Sequence, residues 1–261
     1  MTGAFIWYEL VTPDVDSAKI FYDAVVGWNV ASTSDFPNGY RMIGRSDGKA
    51  AGGVLPLTDE MRVHGARPIW LAYLHVDDID STAAAIAQDG GKIVMAPFDI
   101  PHVGRVALVS DPVGVPFYIM TPTPPADQPE AQSDVFSVDQ AQHIRWNELG
   151  TRDRLGAIAF FQKHFGWTQQ GEMEMGPLGT YSFVRHDGVG IGAIMDKMPE
   201  APASAWTFYI GVDDIDCAAA AITECGGSVI AGPMEIPGGE FSVVAIDPHG
   251  ATFGIVGPRK K

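Results

Sequence analysis

Short runs of alternating apolar and polar positions punctuate the chain and are interleaved with stretches of helical periodicity. Over 206–212, Trp206, Phe208, Ile210 and Val212 form one apolar side, and Thr207, Tyr209 and Gly211 form the other. That is the pattern of a strand with one face packed on a helix. The run at 69–76 splits in the same way, with Trp70, Ala72, Leu74 and Val76 on the helix side and Ile69, Leu71, Tyr73 and His75 opposite. Near the N-terminus, Ile6, Tyr8 and Leu10 face the helix while Phe5, Trp7, Glu9 and Val11 face away, and Trp146 and Glu148 repeat that choice. Each run leads into a helix-like stretch. Asp16, Asp80 and Asp216 stand where N-caps are expected, because a short carboxylate accepts from the free N–H groups of a first turn. Gly27, Gly90, Gly166 and Gly226 stand where left-handed C-terminal positions are expected. β-rich runs such as 228–231, 242–246 and 252–256 follow. One strand, one helix and three strands make a module of about 55 residues. The pattern predicts four modules, at about 4–58, 68–121, 143–198 and 204–258.

The modules come in two similar pairs. Trp7-Tyr8-Glu9-Leu10 recurs as Trp146-Asn147-Glu148-Leu149, and Gly27-Trp28 as Gly166-Trp167, both at an offset of 139 residues. Val76-Asp77-Asp78-Ile79-Asp80 returns as Val212-Asp213-Asp214-Ile215-Asp216. Gly90-Gly91, Ile100-Pro101 and Asp111-Pro112 return as Gly226-Gly227, Ile236-Pro237 and Asp247-Pro248. Conserved order over so long a stretch is the mark of a duplication. A weaker repeat, Asp14-Val15-Asp16-Ser17 against Asp78-Ile79-Asp80-Ser81, lies inside the first copy. Between the copies, 122–142 carries Pro122, Pro124, Pro125 and Pro129 and reads as an extended linker. The expected domains are therefore 1–121 and 143–261. The expected class is α+β, with four βαβββ modules forming two tandem domains on cup-shaped mixed sheets.

Composition narrows the functional classes. With 46% hydrophobic and 19% charged residues the chain is globular in character. A net charge of −15 argues against nucleic acid and against an anionic membrane surface, both of which call for clustered Lys and Arg. No apolar stretch approaches the roughly 18 residues of a membrane span. The N-terminus lacks the basic and apolar regions of a signal peptide. Cys217 and Cys225 fall in one predicted helix, about 12 Å apart by helical rise, too far for a disulfide. A reducing cytoplasm is the expected location.

Residues 11–28 (VTPDVDSAKIFYDAVVGW), 78–91 and Asp111-Pro112-Val113-Gly114 resemble the vicinal oxygen chelate superfamily. So do 159–167, 213–227 and Asp247-Pro248-His249-Gly250 in the second copy. That superfamily holds glyoxalases, bleomycin- and fosfomycin-resistance proteins and extradiol dioxygenases. The resemblance covers nearly the whole chain outside 122–142, and it is specific for fold rather than reaction. It implies two tandem glyoxalase/bleomycin-resistance-type domains. It also implies where a metal would sit: metal-using members ligate a divalent ion with His and Glu on the first and last strands of paired modules. The matching first-strand positions fall on Trp7, Leu71, Trp146 and Thr207, and the last-strand positions on Tyr118 and Gly254. None is a good ligand for zinc, nickel or iron. No metal site and no cofactor are therefore expected. Glu9, Glu148 and His75 lie one step along the same faces, which makes a displaced divalent-metal site the rival reading.

The inner faces carry the candidate chemistry. An ionised carboxylate among aromatic rings is costly unless it is paired or put to use. Glu9 and Glu148 are the candidate catalytic residues, orienting a ligand or acting as general bases if burial raises their pKa values. Trp7, Tyr73, His75, Tyr118, Trp146, Thr207 and Tyr209 are the candidate ligand-binding residues. A purely structural role would instead pair the glutamates with Arg41, Arg105, Arg145 or Arg185. Of the other histidines, His102 and His249 fall in predicted loops, and His164 and His186 look peripheral. No HExxH, no clustered CxxC, no GxGxxG opening a helix and no GxSxG nucleophile elbow is found. The expected partner is a small apolar or aromatic organic molecule, bound or transformed without metal. A glyoxalase I-like lyase or extradiol-type dioxygenase with displaced ligands is one alternative, and sequestration without chemistry is another. The duplication allows a monomer to hold what single-copy relatives build by dimerising, so monomer or homodimer is expected. Whether module one pairs with module two or with module four stays open.

Overall fold

The computed structural model describes residues 2–124 and 131–260, so Pro125 and Pro129 of the proline-rich segment lie outside the described residues. Module one comprises β1 (Phe5–Thr12), α1 (Val15–Val26), β2 (Asn29–Val30), β3 (Arg41–Gly44) and β4 (Ala50–Pro56). A short helix, α2 (Asp59–Val63), leads into module two: β5 (Ile69–His75), α3 (Ile79–Gln88), β6 (Lys92–Ile100), β7 (Gly104–Ser110) and β8 (Pro116–Pro122). Module three is β9 (Ile144–Thr151), α4 (Arg154–Phe165), β10 (Thr168–Glu174), β11 (Thr180–His186) and β12 (Val189–Asp196). Module four is β13 (Ala205–Gly211), α5 (Ile215–Glu224), β14 (Ser228–Glu235), β15 (Phe241–Ile246) and β16 (Thr252–Gly257). The expected strand–helix–three-strand order thus holds four times.

The strands form two eight-stranded mixed sheets, ordered β2-β3-β4-β1-β5-β8-β7-β6 and β10-β11-β12-β9-β13-β16-β15-β14. In every module the first strand runs parallel to the last, as a helical crossover requires. The remaining hairpin-linked strands within modules pair antiparallel. Neither sheet closes into a barrel, and the α+β class follows. No helix among the described residues is long and apolar enough to cross a membrane.

The helix starts differ from expectation by two residues. Asp14, Asp78 and Asp214, in extended backbone, are the N-caps of α1, α3 and α5, each accepting from an N–H of the first turn. In each Asp-x-Asp pair the first carboxylate caps, because the second is already inside the helix. Asp16, Asp80 and Asp216 instead bind Arg41 (2.7 Å), Arg105 (2.9 Å) and Arg259 (2.6 Å), tying each first turn to a neighbouring strand or tail. The C-terminal glycines behave as predicted: Gly27 (φ 77°) and Gly166 (φ 67°) cap α1 and α4 in the left-handed conformation. Cys217, exposed on α5, and Cys225, its C-cap, are free thiols.

Two compact units cut across the order of the chain. One holds most of modules two and three with the N-terminal residues up to Trp7; the other holds most of modules one and four with Val135–Trp146. Helix α3 packs on α4 in the first unit, and α1 on α5 in the second. The second unit is centred on Tyr22, whose ring meets Trp70 (5.4 Å, 87°) and Phe253 (5.4 Å, 66°). Its hydroxyl accepts from Trp70 Nε1 (2.9 Å) and donates to Asp247 Oδ2 (3.2 Å). Burial and the Asp247 charge push the Tyr22 hydroxyl well above the usual tyrosine range. Gln142, at φ 63°, stitches the same unit. Its backbone N–H donates to Gly211 O, its amide bridges Ser46 N and Gly27 O, and its carbonyl accepts from Trp28 Nε1.

In the first unit Phe161 takes the equivalent place. It stacks on Trp167 (4.7 Å, 13°) and meets Trp206 (5.5 Å) and Phe117 (5.5 Å). Trp167 Nε1 donates to Gly3 O (2.8 Å). Asp111 Oδ1 accepts from Val113 N (3.1 Å) and Val115 N (2.8 Å), and burial raises the Asp111 pKa. His164, expected to be peripheral, is a half-buried residue of α4 whose side chain is 5% exposed, with Nε2 2.8 Å from Asp89 Oδ2. Its position on the α3-facing side of the helix was hidden because α4 lacks clear amphipathic periodicity. Burial lowers its pKa, against the pull of Asp89.

Candidate functional site

On β9 the alternation is plain. Asn147, Leu149 and Thr151 are buried on the helix side, whereas Trp146 and Glu148 are half-buried on the opposite face. Glu148 pairs with Ala193 on β12, and Ala193 pairs with Phe183 on β11. Tyr181, two residues before Phe183, shares that face, and its hydroxyl donates to Glu148 Oε2 at 2.7 Å. The Tyr181 ring lies edge-on to Phe183 (5.6 Å, 76°).

Module one repeats the ladder. Glu9, 3% exposed, pairs with Gly53 on β4, which pairs with Met42 on β3. Tyr40 lies two residues before Met42 and so matches Tyr181. Its ring lies over Gly53, where a β-carbon would overlap the phenol. Both copies thus set a tyrosine beside the strand neighbour of the Trp-x-Glu glutamate.

The last-strand positions differ. In module two Tyr73 and Tyr118 are parallel-strand partners, and their rings stack at 4.2 Å and 15°. In module four the partner of Tyr209 is Gly254, and the Tyr209 ring lies over the glycine backbone in the space a β-carbon would fill. Thr207 is half-buried two residues earlier on β13. His75, at the end of β5, is 8% exposed, and its Nδ1 is 3.8 Å from Asp77 Oδ1, beyond hydrogen-bonding reach. Desolvation lowers its pKa and favours the neutral imidazole.

The four arginines considered as partners for the glutamates are engaged elsewhere. Arg41 binds Asp16, Arg105 binds Asp80 and Asp99, Arg145 forks onto Glu240, and Arg185 donates to Gly188 O. The structural alternative built on these arginines therefore loses its proposed partners.

The six metal positions implied by the fold do not suit a divalent ion. They present two indoles, an aliphatic side chain, a threonine hydroxyl, a stacked phenol and a glycine. None supplies the imidazole or carboxylate that such an ion takes from protein. Elsewhere, in the unit of modules one and four, Asp47 and His143 offer ligand atoms within 4.8 Å of each other. They border a cleft of about 240 Å³ that also involves Arg45, Ser46 and Gln142. Arg45 forks onto both oxygens of Asp47 (3.3 and 3.0 Å) and, with the Lys49 N–H, holds its pKa down to about 2. A guanidinium at that distance competes with a cation for the same carboxylate.

A chain of four βαβββ modules on two mixed sheets, with paired first-strand glutamates, defines a tandem-module α+β protein of the vicinal-oxygen-chelate type. It belongs to the Glyoxalase/Bleomycin resistance protein/Dioxygenase superfamily, whose family model matches residues 4–119. It is 31% identical over 97% of its length to the glyoxylase-like protein CFP32 of Mycobacterium tuberculosis, covering 94% of that protein. It is 28% identical over 99% of its length to the anthracycline biosynthesis protein DauV of Streptomyces sp. (strain C5), again covering 94% of it. Among solved structures it resembles the Mn(II)-bound glyoxalase from Novosphingobium aromaticivorans, with a TM-score of 0.66, 16% identity, and coverage of 99% of this chain and 83% of the other.

Reasoning from sequence missed Tyr40, Tyr181 and His143. The two tyrosines were findable, since they stand at nearly the repeat offset and on the faces of the glutamates. Loops of unequal length before β3 and β11 blurred that match. For His143, buried beside Gln142, no sequence signal stands out.

Proposed function

We propose that the chain binds a small organic molecule with an aromatic or otherwise apolar body, and that it does so without a bound metal. Glu9 and Glu148 are the polar groups that orient this ligand or take a proton from it. The observation carrying the reading is the replacement of metal donors by rings and glycine at the family's ligand positions, above all the Tyr73–Tyr118 stack. The carboxylates meanwhile persist on both first strands. Rings provide large apolar contact area, and one placed carboxylate provides orientation, which is the usual division of labour in a small-molecule site. A relative named for anthracycline biosynthesis accords with an aromatic ligand. Similarity to a Mn(II)-bound glyoxalase favours the second reading, a metal-dependent lyase or dioxygenase using Glu9, Glu148 or His75 as displaced ligands.

A thermal-shift screen of aromatic compounds in the presence of EDTA tests the first reading. A hit should keep its affinity in EDTA and lose roughly 10- to 100-fold in Glu148→Gln or Glu9→Gln, the effect of removing a hydrogen bond to a charged group. Hits that need added metal would favour the second reading. A hit that binds tightly and is never turned over points to sequestration.

A further inference from the structure

We propose that Tyr181 is the positioning residue of Glu148, fixing it as an ionised acceptor and so as a base or ligand anchor and not as a proton donor. A phenol has one proton to give, and Tyr181 gives it to Glu148 Oε2 at 2.7 Å. Donation to a carboxylate is charge-assisted and favours the ionised form. Tyr181 is 9% exposed and sits on β11, an interior strand between β10 and β12, with its ring held edge-on to Phe183. Its hydroxyl is therefore placed by the sheet and not by a mobile loop. The ladder β9–β12–β11 fixes the reach from Tyr181 to Glu148, and an even residue count keeps both on one face.

Module one was built to the same plan. Tyr40 immediately precedes β3, two residues before the ladder partner of Gly53, and Gly53 beneath it carries no side chain that would push the ring away. A tyrosine recurring beside the strand neighbour of each glutamate, in segments whose other residues have diverged, points to a shared plan. The inference rests on the reading of Glu148 as the working group of its face, but its test does not require a ligand.

The experiment is carbon-13 NMR of the full chain labelled at glutamate side-chain carboxyls. Glu148 is assigned by the signal lost in Glu148→Gln. In Tyr181→Phe, which keeps the ring, its titration should move up by about one pH unit, the size expected for loss of one charge-assisted hydrogen bond. An unmoved titration in a folded Tyr181→Phe protein overturns the proposal. Should Tyr181→Phe not fold, the coupling is read from the other side. The Cζ signal of Tyr181 in tyrosine-labelled protein should shift in Glu148→Gln, and no shift overturns the proposal. A failed ligand screen with a clear NMR shift would sink the proposed function and leave the tyrosine's role standing; the reverse pattern would do the opposite.

Discussion

In one compact unit the ring of Tyr22 sits against Trp70 and Phe253; in the other Phe161 sits against Trp167, Trp206 and Phe117. The ring positions correspond through the duplication, and the packing is comparable. The polar wiring is not. Tyr22 links the Trp70 indole to the Asp247 turn through one hydroxyl, so a buried carboxylate in that unit has a phenol donor. Asp111, the counterpart of Asp247, accepts the same two turn N–H groups that Asp247 does, but the matching ring is Phe161, which has no hydroxyl to give, and desolvation raises the Asp111 pKa. Duplicated modules have thus kept the volume of the core while hydrogen bonding drifted, because volume is set by many contacts and a hydroxyl by one atom.

The most severe way to break the comparison is to remove, in each unit by itself, the indole that packs on its central ring. Trp70→Ala and Trp206→Ala should each cost about 3–5 kcal/mol in denaturant unfolding, since both leave a large cavity. Tyr22→Phe should cost about 1–3 kcal/mol, because it removes one partner from both the Trp70 indole and the Asp247 carboxylate. The matching ring in the first unit is already Phe161, so no such penalty is built in there. Gly254→Ala should cost about 1–3 kcal/mol by driving the Tyr209 ring off the glycine backbone, read by denaturant midpoint and near-ultraviolet circular dichroism. A neutral Gly254→Ala would mean that Tyr209 has room to move.

The smallest effect concerns pH. Asp111 binds its proton more tightly folded than unfolded, so its contribution to stability is complete below the unfolded value near 3.9 and is lost as pH rises through the folded value. Asp111→Asn keeps an acceptor for Val113 and Val115 but has no charge to desolvate. Its stability relative to wild type should therefore rise between about pH 4 and pH 7. A difference that stays flat across that range would show that the Asp111 carboxylate is as well solvated folded as unfolded.

Much of this architecture was legible in the sequence for physical reasons. Alternation along β9 told its buried face from its half-buried one, and Gly27 and Gly166 marked helix ends because the left-handed conformation suits glycine. The Trp-x-Glu repeat singled out Glu9 and Glu148. What stayed hidden depended on three-dimensional neighbours. An Asp-x-Asp start offers two caps, and only backbone geometry decides between them. Tyr181 reaches Glu148 across three strands, a relation that register fixes and linear spacing does not display. The grouping of modules into compact units, one with four and two with three, comes from helix packing that either pairing of the sequence allowed.

The central claim, that the inner-face glutamates serve an organic ligand and not a metal, is tested most directly by elemental analysis. The purified chain would be measured before and after incubation with Zn²⁺, Ni²⁺, Mn²⁺ and Fe²⁺ followed by buffer exchange. The account predicts no stoichiometric metal under any of these conditions. Stoichiometric metal in the wild type that disappears in Glu9→Gln or Glu148→Gln would contradict it and make those glutamates ligands of a displaced metal site.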